Sequence, residues 1–309
     1  MLPDTLPEMI KAGMSENGSS LLFQKRDGWS WKQITWKDFE TDVRSIAAFL
    51  VGGGFKSGDR AFFEGGGAYE GLVSETAVLM IGGVAVSGFA PGSRDTAGAK
   101  AVFAATRESA PEFAPGGDGK AIFLSGSGGS KPEDPVVDFR AALKFGFLKS
   151  KKLTDELNEM FSSVRADAPA VEVRGAESGT QAFSQSGFMR SLDSALADVA
   201  LSGDSQVFCH LPRADMFSRA ARFLPLCVSA RQAVAESKAD FFADILEVMP
   251  TEVFLDSDGI KNAARSAEGK SAFGGRLRRI FTDSAPNGET AEFYSRNGLE
   301  VSKIFFRAV

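Results

Sequence analysis

Few residues in this chain are equipped for covalent chemistry. There is one histidine, His210, and there are two cysteines, Cys209 and Cys227. That inventory excludes an H-E-x-x-H metal pair. It also excludes zinc sites built from four cysteines or from two cysteines and two histidines. A Ser-His-Asp triad would have to use His210, which sits in an apolar run and reads as structural. Glycine-rich stretches are the other candidates, because small residues expose backbone N–H groups to phosphate oxygens. Gly126-Ser127-Gly128-Gly129-Ser130-Lys131 lacks the G-x-x-x-x-G-K-[ST] spacing and reads as a flexible loop. Gly65-Gly66-Gly67 stands where a dinucleotide-binding turn would, but position 70 is Glu70 and Gly71 falls one residue late. Ser178-Gly179-Thr180 is the third, with a phosphate cradle and an ordinary surface turn as its two readings. Two basic groups, Lys149, Lys151 and Lys152, and Arg276, Arg278 and Arg279, read as solvated faces.

The elements that must carry these residues are set by an ordinary soluble composition. The chain has 309 residues, 43% hydrophobic and 24% charged, with a net charge of −5. This is long enough for a sizeable core, and a chain this weakly acidic has no general attraction for nucleic acid. The longest apolar stretch, Ala77 to Phe89, is broken by Gly82, Gly83, Ser87 and Gly88, well short of the ~18 residues of a membrane span. Met1 to Ile10 carries Asp4, Glu8 and two prolines, and lacks the basic and apolar regions of a secretory leader. Two cysteines make no disulfide framework. The expected compartment is the cytoplasm, with no membrane span. The 27 phenylalanines against two tyrosines read as core packing.

Residues 1–60 predict a helix, a hairpin turning at Asp27-Gly28, and a second helix. Thr35 and Asp38 approximate a capping box for that helix. Phe39, Val43, Ile46, Ala47 and Leu50 form its apolar stripe, and Gly52-Gly53-Gly54 ends it. Further helices are expected over Glu70–Met80, Asp155–Val164, Leu192–Leu201, Met216–Leu224, Asp240–Val248 and Thr290–Asn297. Strands are expected at Ala61–Phe63, Val84–Phe89, Val171–Val173, Val207–Leu211, Val253–Leu255 and Leu277–Phe281, and short apolar runs bounded by turn residues lie at Ala101–Ala105 and Ala121–Leu124. A polar stretch through Gly187 follows Val173, and Gly126–Pro135 reads as an exposed loop. No repeat recurs at a fixed period. Short β-branched or aromatic runs alternating with helices predict an α/β class with mostly parallel sheets.

The ordered set of local sequences resembles the N-terminal region of the adenylate-forming (AMP-binding) superfamily, in particular long-chain fatty acyl-CoA synthetases. The carriers are Thr5-Leu6-Pro7-Glu8-Met9, Ile34 to Phe39, Phe55-Lys56-Ser57-Gly58-Asp59-Arg60 and Gly83-Val84-Ala85-Val86. They continue with Leu211-Pro212 and Met216-Phe217, Pro250-Thr251, Phe273 to Ile280, and Ser284-Ala285-Pro286, which is similar to the family's G-G-A-P segment. The set spans about residues 5–300 in family order. The resemblance implies two interleaved α/β lobes with mostly parallel sheets, approximately 60–203 and 20–59 with 204–309. It also makes Gly65-Gly66-Gly67 a strand-to-helix connection. Its ATP site would fall on Ser178, Gly179 and Thr180, and on Ser284, Ala285 and Pro286.

The chain departs from the family pattern where phosphate and catalysis are concerned. The family's phosphate loop ends in Pro-Lys-Gly, whereas the corresponding stretch here is Arg174-Gly175-Ala176-Glu177-Ser178-Gly179-Thr180. Glu177 places a like charge beside any phosphate. The family's histidine after Leu-Pro is Asp215, and its Gly-Gly before Ala285-Pro286 is Asp283-Ser284. The family's Tyr-Gly-x-Thr-Glu landmark, ribose-binding Asp and C-terminal domain with its catalytic Lys find no counterpart in the 309 residues. Losing one donor to developing charge costs ~2.7–4 kcal/mol of barrier, so several losses leave little adenylation. The expectation is a catalytically inactive pseudoenzyme with no cofactor, acting by binding another protein chain or a second copy. The alternatives are an acyl- or nucleotide-binding module with weak ATP or AMP binding, and a fatty acid–CoA ligase completed by a separate chain. The face near Ser178, Asp215, Asp283 and Pro286, or the apolar end Ile304-Phe305-Phe306, is expected to be a buried partner surface, the alternative being that Phe305 and Phe306 fold inward as core.

Overall fold

The computed structural model describes residues 1–64, 69–87, 98–105, 119–124, 129–175, 179–211, 215–234, 241–267 and 269–304. The glycine run 65–67, residues 126–128, Glu177, Ser178, Pro212 and the end Phe305–Val309 lie outside them, as does the side chain of His210.

The N-terminal elements follow local rules. The first helix, α1 (Leu6–Asn17), opens on a capping box: Thr5 accepts from the Glu8 amide and donates its own N–H to the Glu8 carboxylate. Strands β1 (Leu21–Asp27) and β2 (Ser30–Thr35) turn at Gly28, whose φ of 60° is open to glycine. Helix α2 (Trp36–Gly52) starts on the expected Thr35–Asp38 box. Hydrogen bonds from Thr35 hold the Asp38 carboxyl below the usual aspartate value.

The middle of the chain supplies β3 (Arg60–Phe63), α3 (Tyr69–Met80), β4 (Val84–Ser87), β5 (Ala99–Ala104), β6 (Lys120–Phe123), β7 (Val136–Asp138), α4 (Phe139–Ser150), α5 (Thr154–Ser163), β8 (Pro169–Gly175), β9 (Gly179–Ser184) and α6 (Gln185–Val199). The remainder adds β10 (Gln206–His210), α7 (Met216–Cys227), β11 (Arg231–Val234), α8 (Phe241–Val248) and β12 (Glu252–Leu255). After these come α9 (Ser257–Ser266), one 3-10 turn (Lys270–Phe273), β13 (Arg279–Thr282), α10 (Gly288–Arg296) and β14 (Glu300–Lys303).

Two seven-stranded sheets result, with orders β14-β13-β12-β10-β11-β1-β2 and β7-β6-β5-β3-β4-β8-β9. Every described pairing is parallel except the two edge hairpins, β1–β2 and β8–β9. The expected α/β architecture of two interleaved lobes with mostly parallel sheets is the one observed. Helix α3 is buried along its whole length, with Glu70, Ser74, Glu75 and Thr76 enclosed among its apolar residues. All of α7 but Cys227 is buried too. Glu75 of α3 pairs with Arg219 and Arg222 of α7 at the seam between the sheets.

Helix α4, strand β9 and the start of α6 escape the sequence pattern, as do β7, β11, α9 and β14. Helix α4 buries Phe139, Ala142 and Gly146 on one side and exposes Phe147 and Leu148 on the other, so its apolar residues form no single stripe. Strand β9 buries only Phe183. Helix α6 begins at Gln185 inside the expected polar stretch. Gln185 is fully buried, accepts from the Leu6 amide at 3.1 Å and donates to the Leu79 carbonyl at 3.1 Å. Its polarity serves three segments far apart in sequence.

Candidate functional site

In open parallel sheets, ligands meet the carboxyl ends of the strands, where the strand order reverses. In the first sheet that point lies between β10 and β12. Among the helices that start on this rim, α7, α9 and α10 are each closed by an N-cap side chain. Asp215 accepts from the Ser218 amide at 2.8 Å, Asp256 from the Gly259 amide at 2.7 Å, and Asn287 from the Thr290 amide at 3.2 Å. These caps use amides that would otherwise face an anion, and two of them bring a carboxylate to the positive end of the helix.

Ser284, Ala285 and Pro286 occupy the turn between β13 and α10. Ser284 and Pro286 are half-buried and Ala285 is exposed. Asp283 beside them accepts from the Thr282 hydroxyl at 3.4 Å. Gly179 and Thr180 lie on the other sheet, exposed at the tip of the β8–β9 hairpin. The tip stands at the carboxyl end of β8, which runs parallel to β4, so it belongs to that sheet's rim. The ladder continues to Arg174↔Thr180 and Gly175↔Gly179, leaving three residues, 176–178, between the paired glycines. Gly179 has a φ of 71°, a conformation glycine adopts without strain. Among the described residues, no hydrogen bond or ion pair joins the Gly179–Thr180 group to the Ser284–Pro286 group.

Beside this hairpin, the carboxyl ends of β3 and β4 hold two oxygens that sequence reasoning missed. Glu64 Oε2 and Ser87 Oγ are buried, and neither has a hydrogen-bond partner. Ser87 faces Val173 of β8 in the parallel ladder and Phe63 of β3 on its other side. A buried polar atom left unpaired costs roughly 1–3 kcal/mol. No sequence signal marks these two residues; their place at strand ends is set by register.

Nucleophile chemistry finds no support among the cysteines. Burial pushes the Cys209 thiol up to about 12 and the Cys227 thiol up to about 12, so neither is a thiolate at neutral pH. No cluster of metal-ligating side chains occurs among the described residues. Nor is any helix among them long and apolar enough to cross a membrane. The expectation of a solvated arginine face fails at Arg279. Its guanidinium donates to the Val199 and Ala200 carbonyls at 2.9 and 3.3 Å and to Glu252 at 2.9 Å, tying β13 to the end of α6 and to β12. A cavity of about 660 Å³ lies at the opposite end of the sheets, lined by Ile10, Met14, Arg44, Met80 and Phe161. Its guanidinium is already engaged by Glu40 and Asn158.

No protein-family model and no curated protein sequence matches the chain. Solved structures do. NpsA-ThdA, an artificially fused adenylation–PCP di-domain NRPS from Klebsiella oxytoca, matches with a TM-score of 0.71 and 13% identity, over 98% of this chain and 53% of that one. A protein assigned as a long-chain-fatty-acid CoA ligase from Rhodopseudomonas palustris CGA009 gives 0.72 and 17%, over 96% and 74%. The fatty acyl-adenylate ligase from L. pneumophila, solved with acyl adenylate and pyrophosphate, gives 0.68 and 12%, over 96% and 53%. The chain spans about half the length of the first and third of these proteins and about three quarters of the second. At such identities the likeness establishes the fold, that of the N-terminal region of adenylate-forming enzymes.

Proposed function

We propose that this chain is an adenylate-forming-enzyme-like pseudoenzyme: it keeps the N-terminal fold, carries no adenylation chemistry, and acts by binding another protein. The observation that carries this reading is the β8–β9 hairpin. A loop that wraps a triphosphate needs several consecutive free amides and a cation. Here the strands stay paired up to Gly175 and Gly179, and residues 176–178 are Ala, Glu and Ser. Across the two rim segments, 174–180 and 282–287, the charged residues are Arg174, Glu177 and Asp283, a net of one negative charge. Each carboxylate opposes a phosphate by about 1 kcal/mol at ~4 Å in water, and by more where solvent is excluded. The capped starts of α7, α9 and α10 add no anion site. These residues do not fit ATP as a cofactor.

The test is ATP–pyrophosphate exchange with short- to long-chain carboxylic acids, alongside calorimetric titration with Mg-ATP. The expected outcome is background exchange and no binding in the low micromolar range. Exchange above background that a Ser178→Ala change abolishes would overturn the reading.

A second reading is favoured by Glu64 and Ser87. Their unpaired oxygens fit a binding module that retains a small ligand at the rim of the second sheet. A ligand with hydrogen-bond donors, co-purifying with the chain and lost on Ser87→Ala, supports it over a purely protein-binding role.

A further inference from the structure

Helix α4 carries a feature that neither its packing nor the strand rims use. Its inner side meets α2 so closely that a Cβ at Gly146 would collide with the Ser45 carbonyl oxygen. This fixes which side faces outward. Arg140, Lys144, Phe147, Leu148, Lys151 and Lys152 fall at i, i+4, i+7, i+8, i+11 and i+12, one face of a helix at ~100° per residue. All six are exposed, Phe147 by 44% and Leu148 by 59%. Lys151 still has helical φ and ψ of −65° and −32°, so the face continues past the last full turn. Its ammonium sits 5.3 Å from the centre of the Phe147 ring.

The charge on this helix is one-sided. Residues 139–152 contain five basic and no acidic residues. With the whole chain at −5, the rest of the protein carries −5 − 5 = −10. Lys149 turns aside and donates to the Gly52 carbonyl at 3.3 Å, leaving the outer face to the other four cations. The flanking carboxylates do not neutralise it. Asp138 is buried as the cap of α4, and Asp155 and Glu156 open α5 with no ion pair to this face among the described residues. At the other end, Arg140 borders Lys25 and Lys32 around a cavity of about 270 Å³, where Glu70 is paired with Lys25 and Asp42 is held by Tyr69.

Two adjacent large apolar side chains on a firmly seated helix, ringed by lysines on an otherwise acidic protein, match the chemistry of a lipid–water interface. There the apolar side chains enter the acyl boundary and the cations meet anionic head groups. We propose that the outer face of α4 docks this protein reversibly onto anionic phospholipid surfaces. Charge complementarity selects that occupant. A zwitterionic surface leaves the lysines without partners, and a nucleic acid gives Leu148 nothing on which to stack. With only two inserted side chains and four cations, the attachment is weak and salt-sensitive.

The experiment is flotation of the full chain with phosphatidylcholine vesicles and with mixed phosphatidylcholine–phosphatidylserine vesicles, at low and high salt, with an RNA-binding assay in parallel. The expected result is flotation with the phosphatidylserine vesicles at low salt only. Phe147→Ser/Leu148→Ser and, separately, Lys144→Glu/Lys151→Glu/Lys152→Glu each lower partitioning roughly tenfold or more. Circular dichroism stays unchanged because these side chains are exposed. Failure of the unaltered chain to float with anionic vesicles overturns the proposal, as does undiminished flotation of either variant. RNA binding that both variants lose, without vesicle binding, overturns it in favour of a nucleic-acid face.

Discussion

The two seven-stranded sheets run through the same strand order. With the hairpin strands set aside and the other five of each sheet numbered along the chain, both read 5-4-3-1-2 and finish on a hairpin whose inner strand pairs parallel with the second strand. In one sheet the hairpin, β1–β2, precedes the parallel strands in sequence; in the other, β8–β9 follows them. The helix after the first parallel strand, α3 in one half and α7 in the other, is buried in both. What differs is charge. Where the two helices meet, α3 brings Glu75 and α7 brings Arg219 and Arg222, so this buried triad carries a net positive charge. Arg219 Nη1 and Arg222 Nε and Nη1 have no hydrogen-bond partner. Burial lowers the Arg222 pKa, with Glu75 opposing. A βα topology recurs wherever short apolar strands alternate with helices that can be buried. The pairing of the two copies depends on a few residues that do not repeat.

The largest expected effect breaks the seam itself. Glu75→Gln leaves two buried guanidiniums facing each other, at a cost of about 3–5 kcal/mol in urea or guanidinium unfolding. The companion variant Glu75→Leu/Arg219→Met/Arg222→Met restores about the original stability or exceeds it. A single variant costing less than ~1 kcal/mol, within the noise of ordinary substitutions, would show that the triad does not hold the halves together.

A second change sharpens the asymmetry at α4, which follows the fifth strand of one sheet and has no described counterpart in the other. Gly146→Ala forces a methyl group against the Ser45 backbone, an overpacking that costs about 1–3 kcal/mol. Equilibrium unfolding checks it. A neutral outcome would mean that α4 shifts freely on α2, and the outward face described above would lose its rigid base.

The smallest effect lies where α2 meets α3, at the contact between Asp42 and Tyr69. Burial raises the Asp42 carboxyl above its ordinary value of 3.8, and the hydrogen bond from Tyr69, 2.8 Å, partly opposes this. The native state therefore holds this proton more tightly than the unfolded chain does. The penalty for the ionised form is complete above the native pKa and fades as pH falls through it towards 3.8. Asp42→Asn removes the penalty and keeps an acceptor for Tyr69. The variant should be slightly more stable than the parent at neutral pH, with the difference shrinking as the solution is acidified. Unfolding midpoints across a pH series check this, and a pH-independent difference would contradict it.

Local sequence rules accounted for much of this molecule. The Thr35–Asp38 box, the turn at Gly28, the stripe of α2, the helix α3 and most parallel strands are written in spacing and side-chain type, because caps, glycine turns and apolar periodicity act within a few residues. The resemblance carried by the ordered local sequences pointed to the architecture, and the departures at Glu177 and Asp283 were visible at once. Tertiary structure decided the rest. Gln185 could not be read as a buried link because its partners, Leu6 and Leu79, are distant in sequence. Arg279 could not be told from Arg278 without the carbonyls at the end of α6. Ser87 became notable only once parallel register placed it against Val173 of the hairpin, and Glu64 only once the end of β3 stood next to Ser87. Helix α4 stayed hidden because its apolar residues serve two surroundings, α2 on one side and solvent on the other. Periodicity shows that a side chain is apolar, but only the packed neighbours determine which face is covered.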